Sequence, residues 1–157
     1  MISLHMNEMV GLIEEVISSD GEFRLYPKGT SMLPLIRQGK DSVILVKPSL
    51  LSKGDIILYK RENGQFVLHR IIKIKGDDLI ICGDNQSDLE TGIKTSDVIA
   101  KVKAVYIDET RYEGVTGNNN ETIYFIKLML KRRFKPTINR FKRVARDPSL
   151  IWRKLIK

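Results

Sequence analysis

Apolar and polar residues alternate with two different periods along this chain. Near the N-terminus, apolar residues recur every three or four positions, with acidic residues on the opposite face. This spacing predicts an amphipathic helix over residues 3–18, which Ser18-Ser19-Asp20-Gly21 would end. The apolar positions that carry the pattern are Met6, Met9, Val10, Ile13 and Ile17.

Between Glu22 and Ile107 the pattern changes to short runs rich in β-branched and aromatic residues, separated by turn residues. Asn63-Gly64 and Gly76-Asp77 are typical of hairpin turns. No helix of crossover length lies between the runs, so the pattern favours a mainly β domain, either a compact β barrel or a folded sheet. The predicted strands are Phe23–Pro27, Ser42–Lys47, Asp55–Lys60, Phe66–Ile74, Asp78–Cys82 and Val98–Ile107.

The chain therefore divides into an N-terminal helix (1–20), a β domain (21–110), a linker (111–121) and a basic tail (122–157). Gly, Thr and three consecutive Asn residues mark the linker. The tail is predicted to be helical, with a break at Pro136 and a fresh helix start at Asp147-Pro148.

The net charge of +8 is unevenly distributed. The tail holds 12 of the 27 Lys and Arg residues with a single acid, Asp147, whereas residues 1–121 hold 15 basic against 18 acidic residues. A basic amphipathic tail that contains Trp152 suits either packing on the domain or a second subunit, or contact with an anionic membrane surface. Nucleic acid is an unlikely partner because no helix-turn-helix or aromatic RNA-binding motif is present. The oligomeric state stays open.

No run of apolar residues is long enough to span a bilayer, and the N-terminus has no basic start followed by an apolar stretch. The single cysteine, Cys82, excludes an intrachain disulfide. We therefore expect a cytoplasmic protein, with the inner face of a membrane as a peripheral location.

Chemistry is indicated first at Gly29-Thr30-Ser31-Met32-Leu33-Pro34. Gly29 permits an unusual backbone angle, Pro34 stiffens the exit, and Met32 offers an apolar anchor to the core. This arrangement suits a serine presented at a surface.

A serine nucleophile needs a base with a pKa near neutrality. Only His5 and His69 exist, and His5 lies in the predicted N-terminal helix, so the base for Ser31 would be His69. Asp84 and Asp88, which follow the fifth predicted strand, are the candidate carboxylates for orienting it.

These blocks resemble a known family. Gly29–Pro34 resembles the catalytic-serine box of type I signal peptidases, and Gly54-Asp55-Ile56-Ile57 is similar to their following Gly-Asp-Ile-Val strand. His69-Arg70-Ile71 resembles the histidine box of the Ser–His branch, found in endoplasmic reticulum and archaeal enzymes. Gly83-Asp84-Asn85 resembles their Gly-Asp-Asn box. The order and spacing agree over roughly residues 22–107.

The resemblance implies a signal-peptidase-like and SOS-repressor-like β fold with a shallow groove for an extended peptide. It implies a serine endopeptidase that removes leader or signal segments after small residues, without a metal or cofactor. Ser31 would attack, and His69 would take the proton. The oxyanion and substrate would contact Gly29, Thr30, Ser31 and Met32, with Thr30 a substitute for a serine that many members carry at the position of Gly29.

Two acids, Asp88 and Glu90, stand where the Ser–His branch often carries a further acidic pair. We favour Asp88 for orienting His69, with Asp84 as the structural residue of its box. Because a membrane anchor is missing, the chain resembles a soluble side branch that acts on cytoplasmic peptides.

Two alternatives stay open. One is a catalytically weak or inactive domain that binds peptides or a membrane surface. The other is a self-cleaving regulator of the SOS-repressor type. That type uses a Ser–Lys pair and an N-terminal DNA-binding domain, whereas only residues 1–20 precede the β domain here.

Overall fold

The computed structural model describes residues 6–116. Helix α1 (Met6–Ser18) is followed by eight strands. The fold is mainly β, as the alternation of apolar residues predicted. The strands are β1 (Phe23–Leu25), β2 (Ser42–Val46), β3 (Ile56–Lys60), β4 (Phe66–Lys75), β5 (Asp78–Cys82), β6 (Glu90–Lys94), β7 (Val98–Ile107) and β8 (Thr110–Glu113).

All strand pairs are antiparallel and form one sheet in the order β1-β2-β7-β3-β4-β5-β6, with β8 also paired to β7. Strands β3 to β6 form a meander of consecutive neighbours. Strand β7 then joins this meander to β2, because its first half pairs with β3 and its second half with β2. The order of hydrogen-bonded strands ends at β1 on one side and at β6 on the other. Of the two predicted forms, a compact β barrel or a folded sheet, this open order fits the folded sheet.

The sheet buries apolar side chains on both faces. In β3, successive residues alternate between the two sides, as the pleat of a strand requires. The near-face cluster packs under α1 and is formed by Ile13, Ile17, Met32, Leu35, Ile36, Val43, Leu45, Ile56, Leu58, Leu68, Ala100, Val102, Val105, Ile107 and Val115. The far-face cluster is formed by Ile57, Tyr59, Ile71, Leu79, Ile81, Ile93 and Val98.

The predicted element bounds agree closely with the structure where a run is strongly apolar. Strands β5 and β7 match their predicted ranges residue for residue, and the helix is confirmed with Val10, Ile13 and Ile17 buried. Strands β6 and β8 were not predicted. Because β8 includes residues 111–113 and Val115 is buried in the near-face cluster, the predicted linker begins too early. The predicted tail (122–157) and His5 lie outside the described residues.

No helix in residues 6–116 has the length and apolar character that crossing a lipid bilayer requires. The same residues hold no group of three or more His, Cys, Asp and Glu side chains arranged to bind a metal ion.

Candidate active site

Ser31 lies in a turn between β1 and β2 that is fixed at several points. Gly29 has a positive φ of 98° and donates its N–H to Oε1 of Gln38 at 2.7 Å. The Met32 side chain is buried in the near-face cluster, as an anchor of the turn should be. The carbonyl oxygen of Ser31 accepts the N–H of Asn85 at 2.7 Å, which ties the turn to the loop after β5.

Ser31 packs directly against Gly83. A Cβ atom on Gly83 would lie 2.8 Å from the carbonyl oxygen of Ser31 and 3.0 Å from its Cβ. Such distances are too short, so this contact requires glycine. The sequence motif that contains Gly83 therefore brings the β5–β6 loop against the serine turn.

The strand register places His69 next to the end of the β4–β5 ladder, where Gly83 begins the following loop. The β4–β5 ladder ends at the pair Arg70 and Cys82. Gly83 follows Cys82 directly and His69 directly precedes Arg70, so the contact between Ser31 and Gly83 lies next to the strand that carries His69. Ser31 and His69 therefore lie at the same end of the β4–β5 ladder.

His69 is almost fully buried, with 1% of its surface exposed. Its Nδ1 atom lies 3.1 Å from Oε1 of Glu90 and 3.3 Å from the hydroxyl oxygen of Tyr59. Glu90 is the first residue of β6 and pairs with Ile81 of β5, which directs its side chain to the far face. The imidazole is therefore oriented by a carboxylate from two strands away.

The hydrogen bonds determine which imidazole nitrogen carries the proton. Tyr59 donates its only hydroxyl hydrogen to Oε2 of Glu90 at 2.9 Å, and Arg61 donates Nε–H to the same oxygen at 2.9 Å. An ionised carboxylate only accepts hydrogen bonds, so we infer that Nδ1, 3.1 Å from Oε1, is the donor. The neutral tautomer of His69 is then Nδ1–H, and Nε2 keeps the lone pair that a general base needs.

The electrostatics keep this imidazole neutral near pH 7. Burial lowers the pKa of His69 below the ordinary value of 6.5; Glu90 opposes this shift, and Arg61 adds to it. Burial alone would raise the pKa of Glu90, but hydrogen bonds from Arg61 and Tyr59 outweigh it and the pKa is lowered. Burial and the hydrogen bond to Glu90 raise the pKa of Tyr59 well above its usual range.

The neighbouring residue, Arg70, has a structural role: it joins separate segments of the chain through hydrogen bonds. Its Nε and Nη2 atoms donate to the two carboxylate oxygens of Asp84 at 2.7 and 2.8 Å, and Nη1 donates to the carbonyl oxygens of Gly54 at 2.8 Å and Val115 at 3.4 Å. Arg70 thereby connects three segments around the serine turn. Asp84 is the structural residue of its loop, as expected, and does not contact His69 directly.

One predicted role is wrong: Asp88 does not orient His69. Its side chain is exposed, and its carboxylate accepts only a long contact of 3.5 Å from the Ser87 hydroxyl. The chain turns between Asp88 and β6 so that Glu90, the other acid of the pair, faces the imidazole. Of the predicted oxyanion residues, Gly29 and Thr30 are exposed beside Ser31, whereas the Met32 side chain is in the core and cannot contact a substrate.

Two residues of the site were missed by the sequence reasoning. In the sequence, Tyr59 is one of several residues in an apolar run that predicts a strand. Arg61 is a polar residue at the start of a predicted hairpin turn. Only the pairing of β3 with β4 places Tyr59 near His69, because Tyr59 lies two residues from Ile57, which pairs with His69.

Comparisons with models of protein families, with curated proteins and with solved structures find no match to this chain. The candidate site therefore rests on its own geometry.

Proposed function

We propose that this protein is a serine endopeptidase in which Ser31 is the nucleophile, His69 the general base and Glu90 the orienting acid. The observation that carries the proposal is the buried His69, whose Nδ1 lies 3.1 Å from Oε1 of Glu90, at the end of the β4–β5 ladder where Ser31 packs on Gly83. This is the arrangement that activates a hydroxyl for acyl transfer.

In the proposed reaction, Nε2 of His69 takes the Ser31 proton as Oγ attacks the carbonyl carbon of the scissile bond. The imidazolium that forms is stabilised by Glu90. His69 then returns the proton to the leaving amine, and water hydrolyses the acyl-enzyme by the same path. The exposed backbone around Thr30 and Ser31 would supply N–H donors to the oxyanion, each worth about 3 kcal/mol in related sites.

The proposed substrate is a peptide in extended conformation. Strand β1 pairs with β2 on one side and lies at an end of the sheet, and the chain leads directly from β1 through Tyr26 to the Ser31 turn. A peptide that adds to this edge gains main-chain hydrogen bonds and is led toward Ser31. The four sequence blocks support a signal-peptidase-like specificity for leader segments with small residues before the cleaved bond.

A β-lactone probe, which acylates activated serines through opening of its ring, tests the proposal. We would treat the full-length protein and the variants Ser31→Ala, His69→Ala and Ser87→Ala, and measure adducts by intact mass. The exposed Ser87 lies on the loop after β5 and is the matched control. One adduct on the wild type and Ser87→Ala, absent from the other two, is expected. Equal labelling of all four proteins, or no labelling, would favour the alternative of a peptide-binding domain without catalysis.

We further propose that the basic tail holds the enzyme at an anionic membrane surface as a peripheral protein. The support is compositional: 12 basic residues and one acid in residues 122–157, with Trp152. Co-sedimentation of the full chain with vesicles containing phosphatidylserine, compared with neutral vesicles, tests this. Replacing Lys131, Arg132, Arg133 and Lys135 by Gln should reduce binding to the anionic vesicles; unchanged binding would contradict the proposal.

A further inference from the structure

Arg61 is the one side chain in the His69 site that contacts both oxygens of Glu90. Its Nε donates to Oε2 at 2.9 Å, and its Nη2 contacts Oε1. Two parallel contacts between a guanidinium and a carboxylate fix the carboxylate plane as well as its position. Oε1 is the oxygen that also faces Nδ1 of His69.

The hairpin between β3 and β4 holds Arg61 in place. Its backbone N–H donates to the carbonyl oxygen of Gln65 at 2.8 Å, and its own carbonyl oxygen accepts the N–H of Gly64 at 2.8 Å. Its remaining nitrogen, Nη1, donates to Oε1 of Gln65 at 2.7 Å. Because the backbone and side chain of Arg61 are both fixed, its Nε and Nη2 atoms approach the two oxygens of Glu90 in one orientation.

We propose that Arg61 is a positioning residue of the active site, whose forked guanidinium fixes Glu90 in the orientation that receives Nδ1–H of His69 and whose charge balances that of Glu90. The catalytic part of this inference rests on the proposed peptidase function. Its structural part, the control of His69 by Arg61, does not.

The role divides into geometry and charge. An uncompensated Glu90 would hold the protonated form of His69 more strongly, which removes the base at neutral pH. The groups that face His69 are Tyr59 from β3, Arg61 from the hairpin, Glu90 from β6 and, at longer range, Asp84 from the loop after β5. Arg61 is the cation among them that pairs with Glu90, whereas Asp84 is paired with Arg70, so the loss of Arg61 leaves the charge of Glu90 uncompensated.

Two substitutions separate these parts. Arg61→Gln removes both the charge and the fork, whereas Arg61→Lys keeps the charge but not the planar fork. Arg111→Gln is the matched control, because Arg111 of β8 also donates two hydrogen bonds to one carboxylate, Glu22, outside the Ser31 turn and the His69 site.

The primary measurement is titration of the His69 imidazole by NMR in the full-length protein. The chain has two histidines, so the spectrum of His69→Ala identifies the resonances. We expect His69 to titrate at a higher pH in Arg61→Gln than in the wild type, and close to the wild-type value in Arg61→Lys and Arg111→Gln. If Arg61→Gln does not fold, an unshifted titration in Arg61→Lys together with its slower acylation carries the test.

The second measurement is the rate constant of Ser31 acylation by the β-lactone probe. Both Arg61 variants should lower it by up to about 100-fold, because small misplacements of a catalytic group have effects of that size. Arg111→Gln should leave it unchanged even if it lowers the Tm.

The outcomes distinguish this inference from the peptidase proposal. If Ser31 is not acylated in any protein, the peptidase proposal fails, and the His69 titration still decides whether Arg61 controls the imidazole. An Arg61→Gln protein with an unshifted His69 titration and a wild-type acylation rate would overturn the inference while leaving the peptidase intact. A lower Tm without a change in the His69 titration or in the acylation rate would mean that Arg61 only stabilises the fold. That result would also overturn the inference.

Discussion

Gly83 and Ser31 are in such close contact that a methyl group on Gly83 would lie 2.8 Å from the Ser31 carbonyl oxygen. The obstacle is backbone, which cannot rotate away as a side chain can. The position of the candidate nucleophile is therefore set by the absence of a side chain on a different segment of the chain, at the point where β5 ends.

We predict that Gly83→Ala displaces the Ser31 turn, abolishes labelling of Ser31 and lowers the Tm. Intact-mass labelling and thermal unfolding measure both effects. Gly11→Ala in α1 is the control, since a Cβ there meets nothing within 4 Å. Alanine within a helix is favoured over glycine by up to about 1 kcal/mol, so this variant should be as stable as the wild type or more so. Normal labelling of Gly83→Ala would show that the turn adapts.

Glu90→Gln should be far more damaging than its size suggests. A glutamine amide can donate to Nδ1 and thereby favour the wrong tautomer of His69; the corresponding change in serine peptidases lowers kcat about 10⁴-fold. We expect a loss of acylation rate of the order of 10³-fold or more. Asp88→Asn, on the exposed loop, should leave the rate within about twofold of the wild type. The opposite ranking of these two variants would restore Asp88 as the orienting acid.

The pH dependence of acylation should report His69. Only the neutral imidazole accepts the Ser31 proton, and burial lowers its pKa below 6.5. The rate should therefore rise with pH and reach half its plateau at a pH below 6.5. In Glu90→Gln the residual rate should reach its half-value at a still lower pH, because the charge that raises the pKa of His69 is gone. A wild-type midpoint above 6.5 would contradict the burial seen here.

The Arg70–Asp84 pair should contribute far more to stability than a surface pair. Arg70 is 8% exposed, and its removal would leave the Asp84 carboxylate and the Gly54 carbonyl oxygen without their partner. We predict that Arg70→Ala lowers the free energy of unfolding by about 3–5 kcal/mol in urea titrations. Glu109→Gln, which removes the charge from the exposed pair with Arg24, should cost about 1 kcal/mol or less. Similar losses for both would mean that the buried pair is solvated.

The sequence predicts most of the sheet because burial and alternation coincide in its central strands. Strand β6 was missed since only Ile93 of its five residues is buried, and β8 because it contains no aliphatic residue. Both form through pairing with a neighbouring strand rather than through their own composition. Such strands cannot be recognised from the residues that they contain.

The candidate site was predicted in part for a similar reason. Ser31 and His69 stand in distinctive surroundings and could be singled out. Asp88 and Glu90 are two residues apart, so alternation would place them on the same face, and only the start of β6 at Glu90 decides between them. The direction of the Arg61 side chain depends on the geometry of a hairpin turn. The Asn63-Gly64 pair in the sequence indicates the turn but not the direction of that side chain.

The position of β7 in the sheet affects the order in which the parts of the candidate site form during synthesis and folding. The proposed general base, His69, and its proposed acid, Glu90, come from the meander of β3 to β6, whose contacts are local in sequence. The Ser31 turn belongs with β1 and β2, which meet the meander through β7, after a long loop closure that delays such pairings. During synthesis, a nascent chain that has not yet emerged as far as Ile107 holds His69 and Glu90 without a fixed nucleophile, and maturation of the site waits for nearly the last strand.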